Sequence, residues 1–427
     1  MSPFQIIIGA IFVFSAIVGV ILFATFDSIV GGNFGTVEVW GTVDEGVVAD
    51  ILTTLRETDD RMQNVAYVER SADTFEEDLI NTLATGAGPD LVLLPHTMLL
   101  KHRDKFVPID PSLISERDVR DGYIDEAQLL ITEEGALGVP IVVDPLVMYF
   151  NRNLLSAAGI AEAPRFWDQV QQATQVLTVS DDRGGVSRSA VALGTADNIR
   201  HSKDILATLL MQSGSAIAER REGRVVVSLQ ERQATGISAG EAALRFYTQF
   251  ADPARPTYSW NRALPEARNA FSSGTLALYL GFASELATLR ASNPNLNFDT
   301  ALIPQERTRT PLTYGNMFVF AVPRAAQNPN SGMVTAAIFA SPGPASVFAR
   351  ELGLPSAVRS LLVQIPSDPF QVVFRNAALI SRGWYDVNAE RTEIIFNDMI
   401  DGIVSGRLGI SEALSQSEAL LDRLVDQ

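Results

Sequence analysis

The run GVPIVVDPLVMYFNRNLL, Gly138 to Leu155, sets the tightest limit on what this chain can fold into. An almost unbroken apolar run reads as a strand buried on both faces. Asp144 and Pro145 stand in its middle. Proline lacks the N–H that a sheet ladder uses, and it forces the residue before it into extended geometry. A buried aspartate without partners is costly. The fold must give this acid and this proline a reason to stand inside a core strand.

Composition narrows the class. The chain has 427 residues, 47% hydrophobic and 19% charged, enough for roughly two or three domains with packed cores. Its formal net charge is −17. Such a surface repels phosphate backbones and anionic bilayers, so nucleic acid is not an expected partner. There is no cysteine. Disulfides, thiol catalysis, thiolate metal sites and a lipid-modified N-terminal cysteine are thereby excluded.

From Phe4 to Phe26 the chain reads FQIIIGAIFVFSAIVGVILFATF without a charge. About 20 apolar residues span a bilayer core. The run is too long for a signal peptide, no Lys or Arg precedes it, and it shows no clear Ala-x-Ala. An uncleaved single-pass transmembrane anchor over 4–26 is expected. A linker over 27–35 follows, and then an acidic body on the extracellular or periplasmic side.

Downstream, TVEVW reads as a strand. DTFEEDLINTLATGAGPDLVLLP reads as a helix, a glycine stop and a buried strand, with Asp73 and Glu76 at capping-box spacing. A short helix ends at Gly159 and a longer one starts near Trp167. VSDDRGGVSRSAVAL reads as a hairpin with its turn at Asp182–Gly185. The alternation predicts an α/β fold with a largely parallel sheet. Trp40 and Trp167 sit where strand and helix packing would use them, and both are expected in the core.

The order of segments resembles the bacterial extracellular solute-binding proteins of family 1, the sugar-binding receptors of ABC importers. The resemblance is carried by VEVWGT, GAGPDLVLLPH, GVPIVVDPLVMYFNRNLLSAAGI, AFSSGTLALYLGF, GNMFVFAVPRAAQNPNSGMVTAAIFASP, LGLPSAVRS and IVSGRLGISEAL, in that order. It implies a two-lobe periplasmic-binding-protein-like (type II) fold, with the ligand cleft between the lobes. The strand after GVP would then leave lobe one and enter lobe two. Asp144 would lie at the cleft floor, not inside a sheet, and accept hydrogen bonds from ligand hydroxyls. Lobe one would take 36–143 and 318–370, and lobe two 146–314 and 376–427. The crossings would fall at 143–145, 315–317 and about 358–376.

Sugar sites combine aromatic faces with planar polar groups, and in open α/β sheets ligands sit at the carboxyl ends of strands. The resemblance carries Asp44 over from the loop after the first strand and His96 from the loop after GPDLVLLP. TADNIRH offers Asn198, with His201 and Arg200 beside it. TYSWNRAL offers Trp260 with Asn261, TLALYLGF offers Phe282, and RGWYDV offers Trp384 and Tyr385.

HExxH, P-loop, GxSxG and dinucleotide fingerprints are all missing. Three histidines and no cysteine leave little for metal or nucleophilic chemistry. No catalytic residue, metal or cofactor is expected. The partners implied are a small solute, a carbohydrate, and ABC permease subunits, with the chain itself monomeric. A sensory ectodomain or a cleft glycosidase is the alternative, since fold alone does not decide function.

Overall fold

The computed structural model describes residues 34–182, 185–231, 236 and 238–426. The expected anchor over 4–26, and the linker as far as residue 33, lie outside the described residues. Among the described residues no single helix is long and apolar enough to cross a membrane.

Lobe one begins with β1 (Val37–Gly41), α1 (Glu45–Arg56), β2 (Val65–Glu69), α2 (Phe75–Ala84), β3 (Leu91–Pro95) and α3 (His96–Lys101). β1 pairs with β2 and β3, both parallel, as strand–helix–strand units require. Thr74, rather than Asp73, precedes α2 and makes no side-chain cap bond. The expected capping box is not formed, because the Glu76 carboxylate is drawn to Lys101 and His102.

β4 (Val139–Asn151) then runs unbroken through the Asp-Pro pair, so Asp144 lies inside the sheet after all. What changes at Asp144–Pro145 is the partner. Val139 to Pro145 pair antiparallel with the later strand β8 (Thr313–Pro323), and Asp144 stands opposite Asn316. From Leu146 onward the partners are β6 (Leu276–Phe282) on one side and, from Val147, β7 (Phe298–Leu302) on the other. Pro145 stands where β4 changes partner, and there its missing N–H costs least.

Lobe two holds α4 (Trp167–Leu177), β5 (Val186–Val191) and α5 (Ser202–Ser213) between β4 and β6. A hairpin pairs Val179–Ser180 with β5. β8 returns to lobe one, where Phe318–Ala321 pair antiparallel with β3. Helix α6 (Pro329–Phe339) packs on β8 and β3. The chain crosses a third time after Ser356 and Ala357, which still bond to the first half of β4. Helix α7 (Pro369–Leu379) is already on the lobe-two side, where Phe370 meets Phe298. β9 (Ser381–Arg382), α8 (Ala389–Val404) and α9 (Ile410–Val425) complete lobe two. One sheet of order β2-β1-β3-β8-β4-β6-β5 therefore runs through both lobes, and β8 and β4 stitch them together. The result is an α/β two-lobe periplasmic-binding-protein-like fold. Trp40 and Trp167 are core residues, 5% and 6% exposed.

Candidate functional site

The sheet passes beneath a recess of about 230 Å³ between the lobes. Thr97, on α3 at the carboxyl end of β3, faces it from lobe one. Tyr314 and Asn316 come from the crossing strand β8. Arg200, His201, Lys203, Asp204 and Phe282 come from lobe two, with Ala389 and Glu393 from α8. Across its mouth Lys101 reaches Glu390 of α8 at 3.5 Å, while Glu76 holds the same ammonium from lobe one. Three larger recesses, of 910, 1180 and 580 Å³, lie away from this meeting point. None of the three draws on the facing walls of both lobes around Thr97, Phe282 and Asn316.

The lobe-two wall is braced by ion pairs. His201 Nε2 lies 2.7 Å from Glu285 Oε1, and Tyr279 Oη donates to the other oxygen of the same carboxylate at 2.7 Å. Burial disfavours the charge on Glu285, but His201, Tyr279 and the Phe282 N–H together outweigh it and the pKa is lowered. Lys203 Nζ donates to Asp386 at 3.0 Å and to the Ala389 carbonyl at 3.2 Å. Burial works against the ammonium, yet Asp386, Asp204 and Glu393 together outweigh it and raise its pKa. Asp204 is pushed up by burial, which Lys203 and His201 only partly offset. Tyr149 Oη donates to the Phe282 carbonyl at 2.7 Å and fixes the turn that presents Phe282.

Beneath the recess lies a second, drier layer. His96 is fully buried, and its Nδ1 accepts the Met317 N–H at 3.2 Å, which leaves the ring proton on Nε2. That Nε2 is 3.9 Å from Glu126 Oε1, and neither atom has a hydrogen-bond partner. The other Glu126 oxygen accepts from Ser381 Oγ. Burial pushes Glu126 up to about 8, against the Ser381 bond, and holds His96 down at about 4. Asp144, 6% exposed, accepts the Ser284 N–H at 2.9 Å. Burial lifts it to about 6, against the bond from Ser284.

The residues singled out from sequence divide three ways. Phe282 lines the recess. His96 and Asp144 sit under it, one bonded to Met317 and the other opposite Asn316. The rest are placed elsewhere. Asp44 is exposed and caps α1, accepting from Gly46 and Val47. Trp260 is fully buried, and its Nε1 donates to Asn198 Oδ1 at 2.9 Å. Asn198 spends its amide on the Asn261 and Leu264 carbonyls. Asn261 bonds Tyr258 and Ala263. Trp384 is 3% exposed and stacks on Phe396, and Tyr385 is 4% exposed beside it. His201 and Arg200, weighed with Asn198 in TADNIRH, do line the recess. Lys203, Asp204, Tyr314, Asn316 and Glu393 were not singled out. The available signal was the second crossing itself, since TYGN stands in the segment that must pass the cleft floor.

The sequence model described as Bacterial extracellular solute-binding protein matches residues 57–340. Among solved structures, the chain is similar to a cyclic alpha-maltosyl-1,6-maltose binding protein from Arthrobacter globiformis, at 15% identity and TM-score 0.75, covering 91% of this chain and 98% of that one. A cyclo/maltodextrin-binding protein complexed with maltotetraose matches at 15% identity and TM-score 0.72, over 91% and 96%. An ABC transporter solute-binding protein from Thermotoga lettingae, bound with alpha-D-tagatose, matches at 16% identity and TM-score 0.64, over 92% and 100%. No curated protein matches the chain.

Proposed function

The chain belongs to the bacterial extracellular solute-binding protein family, and we propose that it is the capture receptor of an ABC importer for a sugar. The observation that carries this reading is the recess itself. It lies where the lobes meet, and its walls offer an aromatic ring, an amide, a guanidinium and carboxylates together. Hydroxyls both donate and accept, so a sugar can use every one of these groups. Ligand touching both lobes favours the closed form, and only such differential contact shifts the equilibrium toward it.

Lys203 is held by Asp386, Asp204 lies beside His201, and Glu285 is held by His201 and Tyr279. The proposed role is capture without chemistry. The apolar run over 4–26 would tether the receptor near its permease, in place of the lipid that a cysteine would carry. His96 and Asp144 would act from below, by fixing the strand that presents Asn316 and the turn that presents Phe282 and Ser284.

Binding is tested by melting the full chain with a panel of mono- and oligosaccharides. At 100 times the dissociation constant, stabilisation should reach about 2.7 kcal/mol. The sugar should be recovered unaltered. A panel without any shift at millimolar concentration, or a sugar returned as hydrolysis products, would overturn the proposal.

A further inference from the structure

We infer that the ligand is a neutral, hydroxyl-rich molecule of single-ring size, and not an oligosaccharide; this deepens the sugar-receptor reading and rests on it. Volume is the first argument. The recess holds about 230 Å³, less than the roughly 300–1,000 Å³ of pockets that take drug-sized ligands.

Stacking surface is the second. A chain of sugar rings needs successive apolar faces, whereas one ring needs one. Phe282 and Tyr314 are the aromatic residues lining the recess. They meet edge to face with centroids 6.2 Å apart, and Tyr314 is only 3% exposed, so Phe282 alone offers a ring face. Trp260 is spent in the core and Trp384 on Phe396, so neither extends it.

Charge is the third argument. Arg200, Lys203 and Asp204 at the start of α5 and Glu393 of α8 bring both signs of charge to the same small space. An anionic ligand would meet the two carboxylates, and a cationic one the guanidinium and the ammonium. Hydroxyls can donate to the acids and accept from the cations without either penalty. Arg200 is the best placed to act on a ligand. Its side chain is 52% exposed, and its contact with Glu266 is a loose 3.9 Å.

The test is titration calorimetry on the full chain, held in a detergent that carries no sugar. The probes are D-glucose, D-galactose, D-xylose, maltose, maltotriose, D-glucuronate and D-glucosamine. One neutral monosaccharide should bind at least tenfold tighter than every other class in the panel. Arg200→Ala should weaken it by roughly ten- to a hundred-fold, with the unliganded melting temperature unchanged. Maltose or maltotriose binding as tightly would overturn the size assignment while leaving a sugar receptor. Glucuronate or glucosamine binding best would overturn the neutrality assignment. Unchanged affinity in Arg200→Ala would show that the recess is not the site. Binding of none of the probes would overturn the inference together with the reading beneath it.

Discussion

Glu126 carries an unusual load for one residue. Its carboxyl is buried between Ser381 and His96, and one of its oxygens is unpartnered. With the folded pKa near 8 and the ordinary value at 4.5, the folded state holds a proton that the unfolded chain releases. Stability must then fall as pH rises through that window, and it is recovered below it. His96 has the opposite sign. Held near 4 from an ordinary 6.5, it removes stability as pH drops below about 6.5. The Glu126 effect therefore stands clear between pH 6.5 and 8. Glu126→Gln, neutral at every pH, should be more stable than the parent at pH 8.5 by roughly 1–3 kcal/mol, the usual penalty of a buried group left unmatched. The gap between the two should be smaller at pH 6.5, because the parent goes on losing stability up to about pH 8. Parallel melting curves across that range would show that Glu126 ionises freely. None of this was legible from the sequence, where Glu126 stands in an ordinary polar stretch. Its burial comes from Ser381 and Gly383, which lie far along the chain. Trp260 fails in the opposite direction. Its loop position was readable, but its side chain turns inward to Asn198, and sequence spacing cannot show which way a loop residue points.

At the scale of elements, the crossing strands are where sequence and structure agree most closely. The apolar run of β4 reads as doubly buried and is so, because helices cover both faces of the sheet there. Asp144 and Pro145 mark the point where pairing passes from β8 to β6 and β7, and that exchange gives the pair its reason. The expectation that the acid would lie outside a sheet was wrong, since an extended X-Pro pair is compatible with a ladder that changes partner. The tight point of this junction is Gly315. A Cβ there would meet Ser381 Oγ, Glu126 Oε2 and Val143 Cγ2, the last at 2.8 Å. These groups come from three segments that converge at the hinge and cannot all retreat. Gly315→Ala should cost about 1–3 kcal/mol, the usual range for overpacking, read from denaturant midpoints. Wild-type stability in that variant would mean that the three segments are not jointly packed.

For the whole molecule, the two-lobe architecture was readable because segment order carries it. The contents of the cleft were not, because the recess draws on α3, β8, the ends of α5 and β6, and α8, which meet only after both lobes have formed. The structure holds the lobes together across its mouth through Lys101 and Glu390. Glu390 is 77% exposed, and an ion pair that open contributes about 1 kcal/mol or less. A latch that weak leaves the balance between open and closed forms to the ligand. The chain has no cysteine, so Glu77→Cys on α2 and Asp398→Cys on α8, both exposed, give a unique pair of labelling positions on opposite lobes. Energy transfer between fluorophores at these two positions, measured on the full chain while a bound sugar is titrated to calorimetric saturation, reads closure directly. The expected result is a shorter distance that follows the binding curve; a sugar that saturates the protein and leaves the distance unchanged would contradict capture by closure of the lobes.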